Sequence, residues 1–158
     1  MKGVFYMCGI SGFCDFSKNF KKEPVLWERI LTDMHHALAH RGSDSFGTYL
    51  DTHVGLSHAR LSIRDIAGGS QPIIRQDTCA IVYNGEIYNT DELLPPLLAA
   101  GYTFSTTSDT EVILCAYLHY GRDFVSRLNG IFAFAIWDGG TGELLLYRDR
   151  AGTKPLFY

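Results

Sequence analysis

Two nearly continuous apolar runs, FAFAIW at 132–137 and LLLY at 144–147, flank the turn sequence DGGTG. A strand with one face in water alternates apolar and polar residues. These runs do not alternate, so both faces of each strand are expected to be covered. The glycine-rich turn joins them as a β-hairpin. A hairpin covered on both sides requires a layer of structure above and below it. The simplest arrangement is a sandwich of sheets with helices outside.

The rest of the chain supplies those layers. Pro24 suits a first helical turn, and Leu26, Ile30, Met34 and Leu38 recur along one helical face, with Gly42 available as a stop. The period then changes to two. GTYL and VGLSHARLSI read as strands, and Val54, Leu56, His58 and Arg60 share one face of the second. CAIVYN is a further strand running into Gly85. Asp91 to Ala100 has helical character, but Pro95-Pro96 is expected to shorten or kink it. TSDTEVILCAYLHYG is the clearest helix, with Ser108 and Glu111 as a capping box and Gly121 as its end. A short helix follows at 123–128, and PLFY at the end reads as another strand. Strands, two helices and strands again give an α+β fold with antiparallel sheets.

A chain of 158 residues suits one domain with one substantial core. Its net charge of -3 gives no push toward nucleic acid or acidic membranes. No apolar run reaches the length of a membrane span, and MKGVFYM is too short for a signal peptide, so the cytoplasm is the expected location. Cys8, Cys14, Cys79 and Cys115 contain no C-x-x-C pair, which argues against a structural zinc site. Cys79 and Cys115 lie in apolar runs and read as packed core thiols. His35, His36 and His40 cluster without an H-E-x-x-H pattern and read as helix-end and surface histidines, so no metal is expected.

Cys8 has a different neighbourhood, because it follows Met7 directly at the head of a strand. Met-Cys can be an ordinary pair of core residues. It can also mark a start or cleavage point that makes Cys8 the first residue of the mature chain. A thiol must lose its proton to attack a carbonyl. A terminal α-amine, with a pKa of roughly 7.7–8.0 in model compounds, can accept that proton from its own residue.

Four segments follow Cys8 in order: HRGSD at 40–44, SHARLSI at 57–63, NGEIYN at 84–89 and SDTEV at 108–112. With MCGISGF and the closing RDRAGTKPLFY, they span nearly the whole chain from Met7 to Tyr158. This ordered set resembles the class II glutamine amidotransferase domain, the N-terminal nucleophile glutaminase type. Within it, the set resembles the N-terminal domain of glutamine-hydrolysing asparagine synthetases.

The resemblance implies an αββα sandwich and hydrolysis of the side-chain amide of glutamine. It assigns the nucleophile to Cys8 and the oxyanion hole to Asn84 and Gly85. Read locally, without the resemblance, Asn84-Gly85 favours a type I′ hairpin turn. Arg60 matches the residue that grips the substrate's α-carboxylate, the alternative being a strand arginine facing solvent. Glu86 and Asp109 match acidic partners of the α-ammonium, and Asp109 also suits a helix's first turn by itself. Ile63 matches a backbone contact to glutamine, and Arg41 a residue lining the site.

The chain departs from the family pattern at Ser43, where proline is usual, and at Pro95-Pro96. Residues 1–7 precede the family's start and read as a leader, propeptide or added residues, with the glutaminase domain at 8–158. The family domain continues beyond PLFY, so a C-terminally truncated domain is expected, with an exposed sheet edge that a second copy could cover as a homodimer. ATP and Mg are expected only in a separate synthetase domain that would use the ammonia. The competing reading is a non-catalytic remnant that keeps the fold and binds glutamine.

Overall fold

The FAFAIW and LLLY runs do pair, and they lie in one of the two inner layers of a four-layer stack. The computed structural model describes residues 8–41, 45–60 and 70–158. Its elements in chain order are β1 (Gly9–Cys14), α1 (Pro24–Leu38), β2 (Ser45–Leu50), β3 (Val54–Arg60), β4 (Ile73–Arg75), β5 (Cys79–Ile87), α2 (Thr90–Ala99), α3 (Asp109–Tyr120), β6 (Gly130–Asp138) and β7 (Glu143–Arg148). A 3-10 turn spans Gly121–Arg127. One antiparallel sheet has the order β1-β3-β2 and the other β4-β5-β6-β7.

Two apolar clusters hold the layers. Val54 and Leu56 of β3 meet Ala80 and Val82 of β5 and Ala135 and Trp137 of β6, which makes the seam between the sheets. The opposite face of β5 and β6 presents Ile81, Tyr83, Phe132, Phe134 and Ile136 to α2 and α3. α1 covers the outer face of the first sheet, with Leu31 fully buried. Burying a leucine of this kind contributes about 1.5–3 kcal/mol. The expected αββα sandwich is thus the fold.

Several local expectations are corrected. The inward face of α1 runs through Trp27, Ile30, Leu31, Met34 and Leu38, with Leu31 fully buried and the others half-buried, whereas Leu26 is exposed. Trp27 shifts the face, because its ring packs on Phe13 of β1 and on Phe20. α2 continues through Pro95 and Pro96, since Leu93 and Leu97 are buried on either side and anchor both turns. Ser108 caps α3 by accepting the Thr110 N–H at 3.2 Å, but Glu111 does not complete a capping box. Its carboxylate instead reaches back past the cap residue and accepts N–H and O–H bonds from Ser105 and Thr106, and it pairs with Arg75.

β6 is covered on both faces, but β7 is a sheet edge and Leu146 stays 40% exposed. PLFY forms no strand, and Phe157 and Tyr158 are exposed with no partner strand beside them among the described residues. The three-residue β4 was not legible beforehand, being too short to show a period.

Candidate active site

β1 pairs with β3 so that Gly9 lies opposite Ala59. Extending that register by one residue puts Cys8 opposite Arg60. Side chains alternate along a strand, so Cys8 lies on the Ile10 face of β1, and Arg60 on the Val54–Leu56 face of β3. Both faces look toward the second sheet. Arg41, just beyond α1, donates its Nε–H to the Cys8 carbonyl at 3.4 Å and so reaches the backbone of the candidate nucleophile. Arg60 is 7% exposed, which rules out a solvent-facing strand arginine.

β5 brings the next components. By alternation with Ala80 and Val82, Asn84 also faces the seam between the sheets, where it is 8% exposed. Asn84 and Gly85 lie within a continuous strand, opposite Ala133 and Phe132, so the hairpin-turn reading is excluded. Only glycine fits at position 85, because a Cβ there would come within 2.7 Å of the Phe132 Cα. The His58 ring, two residues before Arg60, is close to the Tyr83 backbone, which brings the ends of β3 and β5 together.

The backbone of β5 is equally informative. The Phe132 N–H and C=O both bond Asp149, on the side of β6 away from β5, so Gly85 and Phe132 form a non-hydrogen-bonded pair. The Gly85 N–H therefore points to the opposite edge of β5. β4 pairs with only Cys79–Ile81, so among the described residues no strand pairs with this edge from Tyr83 onward. The Tyr83 N–H is taken by Gln71 Oε1 at 2.6 Å, and the Ile87 N–H by Asp109 Oδ2 at 3.1 Å. Gly85 N–H lies between them.

Asp109 opens α3, and its Oδ2 also accepts the Tyr83 hydroxyl at 2.6 Å. Burial, and then the Asp109 charge beside it, push the Tyr83 hydroxyl pKa upward, so it donates as a neutral phenol. Burial lowers the His58 pKa to about 4, with Arg60 and His35 acting in the same direction and the Tyr83 backbone against them. Neither ring nitrogen of His58 attains hydrogen-bond geometry with a partner among the described residues. Glu86 is exposed, two residues beyond Asn84 on the same strand. Ile63 and Ser43 lie outside the described residues. Thus Cys8, Arg60, Asn84 and Gly85 gather at one end of the seam, with Asp109 anchored behind β5. Tyr83 and Gln71 were missed by sequence reasoning, because their polar contacts join residues 12 to 39 positions apart.

The profile of the glutamine amidotransferase domain family matches residues 7–158. This chain belongs to that family. The amidotransferase domain is 46% identical over 155 residues to asparagine synthetase [glutamine-hydrolyzing] 3 of Bacillus subtilis, covering 96% of this chain and 25% of the relative. It is 38% identical over 152 residues to asparagine synthetase B [glutamine-hydrolyzing] of Escherichia coli, covering 96% and 26%. Amidase chyE of Penicillium rubens is 39% identical over 160 residues, with 96% and 24% covered. The domain thus spans about a quarter of the length of these relatives. A solved structure of glutamine phosphoribosylpyrophosphate amidotransferase from B. subtilis shares the fold, with a TM-score of 0.55 and 24% identity over 67% of this chain and 25% of that one. Among the described residues, no helix is long and apolar enough to cross a membrane.

Proposed function

We propose that this domain hydrolyses the side-chain amide of glutamine, with Cys8 as nucleophile once residues 1–7 have been removed. The observation that carries the reading is the convergence of Cys8, Arg60 and Asn84 on the seam, beside the outward Gly85 N–H. Glutamine is a zwitterion with an amide at its far end. Arg60 grips the α-carboxylate through its planar fork. Asp109, with Glu86 nearby, receives the α-ammonium, and Ile63 contributes a backbone contact. Arg41 holds the Cys8 backbone in place.

The Cys8 α-amine takes the thiol proton, and the sulfur attacks the amide carbon. The carbonyl π electrons move onto oxygen, where the Asn84 side chain and the Gly85 N–H stabilise the charge. The C–N bond then breaks, the nitrogen takes the proton from the α-ammonium, and ammonia leaves a γ-glutamyl thioester. Water, deprotonated by the same amine, attacks the thioester. The C–S bond breaks, and glutamate departs.

The lengths and names of the relatives support a further step, in which a synthetase domain uses the ammonia to make asparagine. The β7 edge supports pairing with a second copy, and light scattering across a dilution series tests this. The central test compares ammonia release from a chain beginning at Met1 with release from one beginning at Cys8. Activity is expected only in the second, because an amide nitrogen cannot serve as the base. Equal activity in both would refute catalysis by the α-amine.

A further inference from the structure

We infer that Tyr83 is a positioning residue for substrate selection, holding the Asp109 carboxylate through its hydroxyl so that one oxygen is committed to the protein and the other is left for an ammonium. The inference rests on the proposed role of Asp109 and goes beyond it. Tyr83 makes two directional bonds to opposite supports. Its hydroxyl donates to Asp109 Oδ2 at 2.6 Å, and its backbone N–H donates to Gln71 Oε1 at 2.6 Å. Gln71 in turn donates its Nε2–H to Thr110 Oγ1 at 3.2 Å, one residue after Asp109. The Ile87 N–H closes the arrangement on the same Oδ2 at 3.1 Å. The start of α3 is thereby tied to β5 on both sides of Asn84 and Gly85.

The consequence is geometric. Asp109 Oδ2 accepts two bonds, so its orientation is set before substrate arrives. With Gln71 and Asp109 occupying the flanking N–H groups, Gly85 presents the N–H that lies between two satisfied ones. The corner for the ammonium and the corner for the oxyanion are then held at a fixed separation by Tyr83, which precedes Asn84 directly. Tyr83 is 3% exposed and its ring packs near Phe134, so removing only the hydroxyl preserves the packing.

The test is Tyr83→Phe in the full chain matured to Cys8, with glutaminase kinetics on two amides. One is L-glutamine and the other is glutaramate, which is glutamine without its α-amine. KM for glutamine is expected to rise roughly tenfold, the effect of losing one hydrogen bond to a charged group, with kcat nearly unchanged. kcat/KM for glutaramate is expected to stay the same, since it brings no ammonium to Asp109. A loss of kcat/KM equal for the two amides would reduce Tyr83 to a structural residue and overturn the inference, as would an unchanged KM for glutamine. Asp109→Asn separates the two levels. If it weakens glutamine while Tyr83→Phe does not, the positioning role alone fails. If Asp109→Asn leaves glutamine unaffected, the assignment of Asp109 fails and the inference falls with it.

Discussion

Acid should destabilise this domain over two separable pH ranges, and the first belongs to His58. Its ring is 1% exposed and reaches no hydrogen-bond partner among the described residues. Burial lowers its pKa from 6.5 to about 4, and the charges of Arg60 on β3 and His35 on α1 add to the effect. The sign follows from proton counting. Above pH 6.5 the ring is neutral in both states and contributes no pH dependence. Between about 6.5 and 4 the unfolded chain binds a proton that the native chain refuses, so stability falls with pH. Below about 4 both states are charged and the loss levels off. At about 1.4 kcal/mol per pH unit the complete loss is about 3 kcal/mol, of which roughly 2.5 kcal/mol is expressed by pH 4.5. Asp51, Glu111 and Asp149 act later. Burial raises the pKa of each, but the hydrogen bonds they accept outweigh it and hold them at about 2, so their stabilisation is lost as pH falls from about 4 toward 2. Urea unfolding of wild type and His58→Leu between pH 7.5 and 4.5 measures the first range. The variant is expected to lose about 2–3 kcal/mol less than wild type over that range. Parallel stability curves would show that His58 is not the group responsible, and that its ring finds a compensating partner in the folded state.

Three further outcomes follow from the site. Asn84→Ala is expected to lower kcat by roughly 10²–10³-fold with little change in glutamine affinity, as loss of one oxyanion donor does; steady-state kinetics with glutamine checks this. Arg60→Lys keeps the charge but loses the fork, so glutamine binding should weaken by about 1–3 kcal/mol. Glutamine esterified at its α-carboxylate should bind poorly to wild type and lose little more in that variant. Gly85→Ala forces a Cβ within 2.7 Å of the Phe132 Cα, so thermal unfolding should show a destabilisation of about 1–3 kcal/mol, separate from any effect on turnover.

Pattern along the chain was enough to call the layers and the inventory of parts. Unbroken apolar runs at 132–137 can satisfy the hydrophobic effect only between two covering layers, and β6 lies there. The order of motifs from Cys8 to Tyr158 was enough to point to the family whose profile matches residues 7–158. Local pattern could not decide orientation. Every residue of β3 is buried, so alternation has no wet face to mark, and only the packing of β3 on β5 shows which way Arg60 looks. Asn84-Gly85 by its local preferences favours a turn over a strand. Pairing with Ala133 and Phe132, nearly 50 residues away, makes it strand and turns the Gly85 N–H outward. Trp27 took the buried face of α1 from Leu26 because Phe13 and Phe20 were there to receive its ring. Glu111 left the capping box for Ser105, Thr106 and Arg75, whose donors offered a buried carboxylate more than the helix start could. Tyr83 and Asp109 are 26 residues apart, and no periodicity links them. Their hydrogen bond exists because α3 starts beside the edge of β5 that faces away from β6, a position set by the packing of whole layers.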